Sequence, residues 1–118
     1  ILWVFVGFVF LLTGAVFGDS VQQDQPVHSE KEGDSVNLTC TYSTSSSYIN
    51  LHWYRKHPNG APEYILQRGA KSNSGDDHTA EFAKNKFDSR TDSSTTTLTI
   101  KTVQLSDTAL YYCALWIA

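Results

Sequence analysis

The chain has no methionine, only two cysteines and only three prolines among its 118 residues. It also has no G-x-S-x-G nucleophile turn, no glycine-rich phosphate cradle and no stripe of lysine or arginine. Each absence removes a class of function. A hydrolase serine has no strained turn to sit on, and no backbone loop is built to close on a phosphate. A formal net charge of −3 without a basic cluster offers little to nucleic acid or to an anionic membrane. Two cysteines need further ligands nearby before they hold a metal. Four histidines remain, His28, His52, His57 and His78. They do not make a hydrolytic set, because His52 and His57 fall on opposite faces of a strand. Asp76, Asp77 and His78 read as a solvated charged loop. No catalytic residue, no cofactor and no metal are expected, and neither an internal repeat nor a low-complexity linker interrupts the chain.

Residues 1–18, ILWVFVGFVFLLTGAVFG, carry no charge and pass into small residues before the polar DSVQQDQ. That pattern predicts a secretory signal peptide rather than a membrane-spanning helix. The missing initiator methionine and basic leader start predict a truncated beginning. Residues 19–118 are then one domain, of a size that sustains its own core. Behind a leader, Cys40 and Cys113 reach an oxidising compartment where a disulfide persists.

The rest of the chain alternates with period two far more than it follows a helical period. From Ser35 to Tyr42, Val36, Leu38, Cys40 and Tyr42 share one strand face, so Cys40 points inward. Ile49, Leu51 and Trp53 repeat the pattern, and HPNG, residues 57–60, turns the chain back into residues 63–67 as a hairpin. Thr95 to Ile100 suits a half-buried strand. In the last strand, Ala109 to Leu115, Tyr111 and Cys113 face inward while Leu110, Tyr112 and Ala114 face out. Two inward cysteines on separate strands can meet. STSSSY, residues 43–48, and GAKSNSGDDH, residues 69–78, read as loops.

Cys40, Trp53 and Cys113, the last closing the Asp-x-Ala-x-Tyr-x-Cys run that begins at Asp107, form the Cys…Trp…Cys arrangement of an immunoglobulin domain. Nearly all of residues 19–118 resembles a variable-type domain of that family. The resemblance implies an all-β Greek-key sandwich without a complete strand G. It implies Trp53 packed on a Cys40–Cys113 bridge, Tyr111 as the corner tyrosine, and an ion pair between Asp107 and Lys86. Arginine is more usual at the latter position, and lysine cannot form its bidentate fork, so a looser pair is expected. Within the family, WYRKHPNGAPEYIL, LTIKTVQLSDTALYYCAL and GDSVQQ are most similar to a T-cell receptor alpha or delta variable segment. CALW also occurs in gamma segments, but the residues around Trp53 argue against that assignment.

The resemblance places a chain-pairing interface on Tyr54, Lys56, Pro62, Tyr64 and Tyr112, and strand alternation independently turns His52, Tyr54 and Lys56 outward beside Tyr112. Lys56 stands where a glutamine commonly bonds its counterpart, so that amide pair is not expected. Antigen contact is expected from loops at one end, residues 43–50, 68–74 and 114–118, with Tyr48, Arg68, Lys71, Asn73 and Trp116 as candidates. The implied partners are a second T-cell receptor variable chain in a heterodimer, a peptide held by a major histocompatibility (MHC) molecule, and signalling subunits reached through constant and transmembrane regions. The implied location is the secretory pathway and then the outer face of the plasma membrane. Asn37-Leu38-Thr39 is an N-glycosylation sequon on an outward-facing asparagine. A non-rearranging adhesion or co-receptor domain is the alternative. It would encode strand G in line, whereas a receptor segment stops near Ala118 and gains a joining segment.

Overall fold

A computed structural model describes residues 3–12, 20–23 and 27–117, with side chains from Glu32 onward. The described strands are β1 (Trp3–Leu12), β2 (Ser20–Gln23), β3 (Val27–Lys31), β4 (Val36–Ser43), β5 (Tyr48–Lys56), β6 (Glu63–Lys71), β7 (Asp77–Thr79), β8 (Phe87–Thr91), β9 (Thr95–Ile100) and β10 (Ala109–Ile117). Short 3-10 turns at Glu81–Ala83 and Leu105–Asp107 are the only helical elements among the described residues. The strands form a six-stranded sheet, β3-β1-β10-β5-β6-β7, and a four-stranded sheet, β2-β4-β9-β8.

The two sheets close on the alternating apolar residues. Leu38 of β4 lies opposite Leu98 of β9, both fully buried, and Leu51, Trp53, Tyr111 and Leu115 face them from the other sheet. Cys40 on β4 and Cys113 on β10 are bonded across the sandwich at a sequence separation of 73. Closing so long a loop removes unfolded-chain entropy, which in the chain-entropy model stabilises by roughly 4 kcal/mol. Trp53 is fully buried, and its indole N–H donates to the Thr96 hydroxyl at 3.2 Å. The Thr96 oxygen is also 2.8 Å from the Thr91 hydroxyl. A buried N–H without such an acceptor would cost about 1–3 kcal/mol.

At the base of the sandwich, the Tyr111 hydroxyl donates to the Asp107 carbonyl at 2.8 Å. Burial, and then the Asp107 carboxylate, push this phenol far above its usual range. Lys86 Nζ lies 2.7 Å from Asp107 Oδ2, so the contact is short, not loose, and Nζ also donates to the Thr102 carbonyl at 2.8 Å. Gln104 N–H donates to the same carboxylate at 2.8 Å.

The hairpin of β5 and β6 departs from simple alternation. A bulge between Trp53 and Tyr54 leaves Ile65 and Leu66 both fully buried. β6 then runs on to Lys71, well past the Gln67 end expected from sequence, so the loop that follows is residues 72–76 and not 69–78. Gly69 is required there. A Cβ on it would meet the Asn73 carbonyl oxygen at 2.0 Å, where the loop folds back on the strand.

The apolar segment expected as a leader contributes β1. It runs parallel to β10, from Val6 opposite Ala109 to Leu12 opposite Leu115, and antiparallel to β3. The edge of β10 is therefore covered in the full chain. Residues 1–2 and 13–18 of that segment lie outside the described residues.

Candidate functional site

The outward face of the six-stranded sheet is an aromatic surface built by period-two alternation. β5 presents His52, Tyr54 and Lys56, β6 presents Tyr64, β7 presents His78, and β10 presents Leu110, Tyr112 and Trp116. Register sets the neighbours: Tyr112 lies opposite Tyr54, and Tyr54 lies opposite Tyr64. The rings of Tyr54 and Tyr64 meet edge to face at 5.8 Å, and His52 packs on Tyr54 at 6.1 Å and on Tyr64 at 6.0 Å. Such pairs add to the gain from burial.

Polar tips of these rings are matched to one another. His52 Nδ1 and the Tyr54 hydroxyl are 3.2 Å apart, and the Tyr64 hydroxyl and His78 Nδ1 are 2.9 Å apart. Burial lowers His52 to about 4, so the imidazole is neutral at physiological pH. Burial, followed by neighbouring Tyr54, raises Tyr64. The centre of the face is thus uncharged. Lys56 sits at its margin, half-buried, and Pro62 is exposed nearby. His52, His78 and Leu110 complete the surface. The alternation that turned His52 outward was a signal for its inclusion; nothing in sequence links His78 to Tyr64.

At one end of this face the loops are stitched together. Lys71 Nζ donates to the Thr44 and Ser46 carbonyls at 3.0 and 3.1 Å, and Ser72 donates to the Ser47 carbonyl through both N–H and hydroxyl. Tyr48 stands exposed above them, and Trp116, also exposed, leans on His52 with ring centroids 5.2 Å apart. Between Tyr48, Asn50, His52, Asn73 and Trp116 opens a cavity of about 310 Å³ with a mainly apolar lining.

Two of the candidate contacts are also held within the fold. Arg68 lies inside β6, where its guanidinium donates to the Gln67 and His78 carbonyls and the Thr79 hydroxyl and pairs with Asp88 at 3.5 Å. It fastens β6, β7 and β8 together and is mostly buried. Asn73 is buried, and its amide donates to the Ile49 carbonyl at 3.3 Å, so it holds the loop's shape while only its edge lines the cavity. Asp76, read as part of a solvated loop, accepts from Asn50 Nδ2 at 3.3 Å and Asn73 Nδ2 at 3.4 Å. Ala118 lies outside the described residues.

A disulfide between sheets, a buried tryptophan in register with one of its cysteines and a corner tyrosine define a sandwich of one kind, and the immunoglobulin V-set domain family matches residues 22–118. The chain belongs to the immunoglobulin V-set family. It is similar to T cell receptor alpha variable 9-1 of Homo sapiens, 34% identical over 110 residues that cover 91% of this chain and 90% of that protein. T-cell receptor alpha chain V region CTL-F3 of Mus musculus is 39% identical over 98 residues, 83% of this V-set chain and 70% of that protein. Probable non-functional T cell receptor gamma variable 10 of Homo sapiens is 34% identical over 99 residues, 81% and 82% of the two chains. This V-set chain is an antigen-receptor variable domain and not an enzyme.

Proposed function

We propose that this V-set domain pairs through the outward face of its six-stranded sheet with a second T-cell receptor variable domain, and that the two together bind a peptide held by an MHC molecule. The half-exposed ring cluster of Tyr54, Tyr64, Tyr112 and His52 carries this assignment. Aromatic surface without charge at its centre is what a pairing core uses. Lys56 and Pro62 form its rim. Antigen contact falls to the loop end, where Tyr48 and Trp116 offer rigid area, Lys71 fixes the first loop to the second, and the serine-rich loops supply hydrogen bonds. Residues 1–18 are a removed leader that delivers the domain to the secretory pathway and the outer face of the plasma membrane. Signalling subunits act through constant and transmembrane regions.

Co-expression of the chain, extended by a joining strand, with alpha-, beta- and delta-type variable partners tests this reading by sedimentation. A heterodimer weakened about tenfold or more by Tyr54→Ala or Tyr112→Ala supports it. A stable monomer with every partner overturns it.

A further inference from the structure

The four-stranded sheet turns a polar trough to solvent on the side away from the pairing face. Strand register lays it out in two rows. Asn37 of β4 lies opposite Thr99 of β9, which lies opposite Asp88 of β8; Thr39 lies opposite Thr97, which lies opposite Arg90. These six side chains line a groove of about 410 Å³. Thr99 donates its hydroxyl to Asn37 Oδ1 at 2.8 Å, which orients the amide and leaves Nδ2 without a hydrogen-bond partner among the described residues. The Thr39 and Thr97 hydroxyls are 3.2 Å apart. Asn37 is exposed, so a substituent on Nδ2 enters solvent without displacing the core.

We propose that Asn37 is an N-glycosylation site and that the trough cradles the first N-acetylhexosamine of its glycan. The inference rests on the reading that the chain enters the secretory pathway. In the transfer, Nδ2 bonds to the anomeric carbon of a lipid-pyrophosphate-linked oligosaccharide. The anomeric C–O bond breaks, the lipid pyrophosphate departs, and Nδ2 gives up one proton. Transfer uses the extended sequon before folding, and the folded trough decides where the sugar rests. Hydroxyls of three threonines, a guanidinium and a carboxylate match a ring that carries hydroxyls and an acetamide. The covalent link to Asn37 holds that ring at high effective concentration over a groove too shallow to retain a free sugar. The glycan then lies on the sheet opposite the aromatic face and leaves pairing unobstructed.

The test is expression of the full chain in a glycosylating secretory host, with an oxidised Cys40–Cys113 bridge on non-reducing gels as the independent sign of entry into the pathway. One endoglycosidase-sensitive mass increment is expected, absent from Asn37→Gln and Thr39→Val and retained in Thr39→Ser. An oxidised chain without the increment overturns the site. For the cradle, the chain extended by the joining strand that covers β10 and trimmed to a single sugar melts about 2–4 °C above the same extended chain carrying Asn37→Gln, and Thr97→Val with Arg90→Ala removes that difference. Equal melting of the trimmed and Asn37→Gln chains overturns the cradle.

Discussion

The indole of Trp116 leans on the imidazole of His52 with ring centroids 5.2 Å apart, which ties the C-terminal end of β10 to the middle of β5. Tyr54 and Tyr64 close on the other sides of the same imidazole. Burial in this group of rings lowers His52 from 6.5 to about 4. Between those values the unfolded chain holds a proton that the folded chain does not, so stability is full above pH 6.5, falls as pH drops toward 4, and levels below it. His52 is half-exposed, and screening reduces the loss to about 1 kcal/mol. Melting curves from pH 7.5 to 4 should show this slope, and His52→Phe should flatten it. An equal slope in the variant would assign it to other groups.

Arg68 distinguishes a recognition residue from a structural one. Its donors go to the Gln67 and His78 carbonyls and Thr79, and its charge meets Asp88. Arg68→Ala should lower stability by about 1–3 kcal/mol by leaving those acceptors unmet, with ligand affinity unchanged in the folded fraction. Isothermal titration beside chemical denaturation separates the two effects. Lost affinity at unchanged stability would return Arg68 to the binding surface.

The contrast between Arg68 and Leu38 shows how far sequence could be read. Val36, Leu38, Cys40 and Tyr42 alternate without interruption, and all four are buried in the structure. Period-two patterning settles such a strand because each residue's face follows from its neighbour's. The same rule turned His52 and Tyr54 outward. It failed in β6, where the bulge buries Ile65 and Leu66 in succession and shifts every face beyond it. Arg68 and Gly69 lie in that strand, although the Gly-, Ser- and Asn-rich composition that follows reads as loop from there on. His78 was illegible for another reason: its partner Tyr64 is brought to it by the pairing of β6 with β7, which no local pattern announces.

Gly69 answers to a single contact. An added methyl at this position would press on the Asn73 carbonyl oxygen at 2.0 Å, and that oxygen is backbone that cannot swing aside. Gly69→Ala should cost about 1–3 kcal/mol or more and displace residues 72–76, thereby opening the cavity under Tyr48. Thermal melting with amide exchange over that loop measures both. A variant with wild-type melting would mean the loop relaxes freely.

Lys86 tests the ion pair under the corner tyrosine. The Asp107 carboxylate is buried and receives Lys86 Nζ at 2.7 Å and the Gln104 N–H at 2.8 Å. Lys86→Ala strands that charge and should cost about 3 kcal/mol. Lys86→Arg keeps the charge and should cost far less, since a guanidinium can meet the same oxygen. Asp107→Asn on top of Lys86→Ala should recover part of the loss, because a neutral amide still accepts from Gln104. Urea titration of these chains together with Asp107→Asn alone decides it; additive losses of Lys86→Ala and Asp107→Asn in the double variant would show that the two side chains do not interact.

The edge of β10 makes the last test. From Leu110 to Leu115 its backbone is paired on one side with β5 and on the other with β1. Removal of residues 1–18 bares the second side while leaving the disulfide and core intact. A bare edge of that length exposes a row of N–H and C=O groups that a second chain can pair with. The processed chain alone should therefore associate with itself and lose a cooperative melt. Adding a C-terminal segment able to fold back as an antiparallel strand on β10 should restore a monomer. Light scattering and melting of the full, shortened and extended chains separate the cases. A shortened chain that melts cooperatively as a monomer would show that β10 tolerates its open edge, and that neither β1 nor an added strand is needed to complete the sheet.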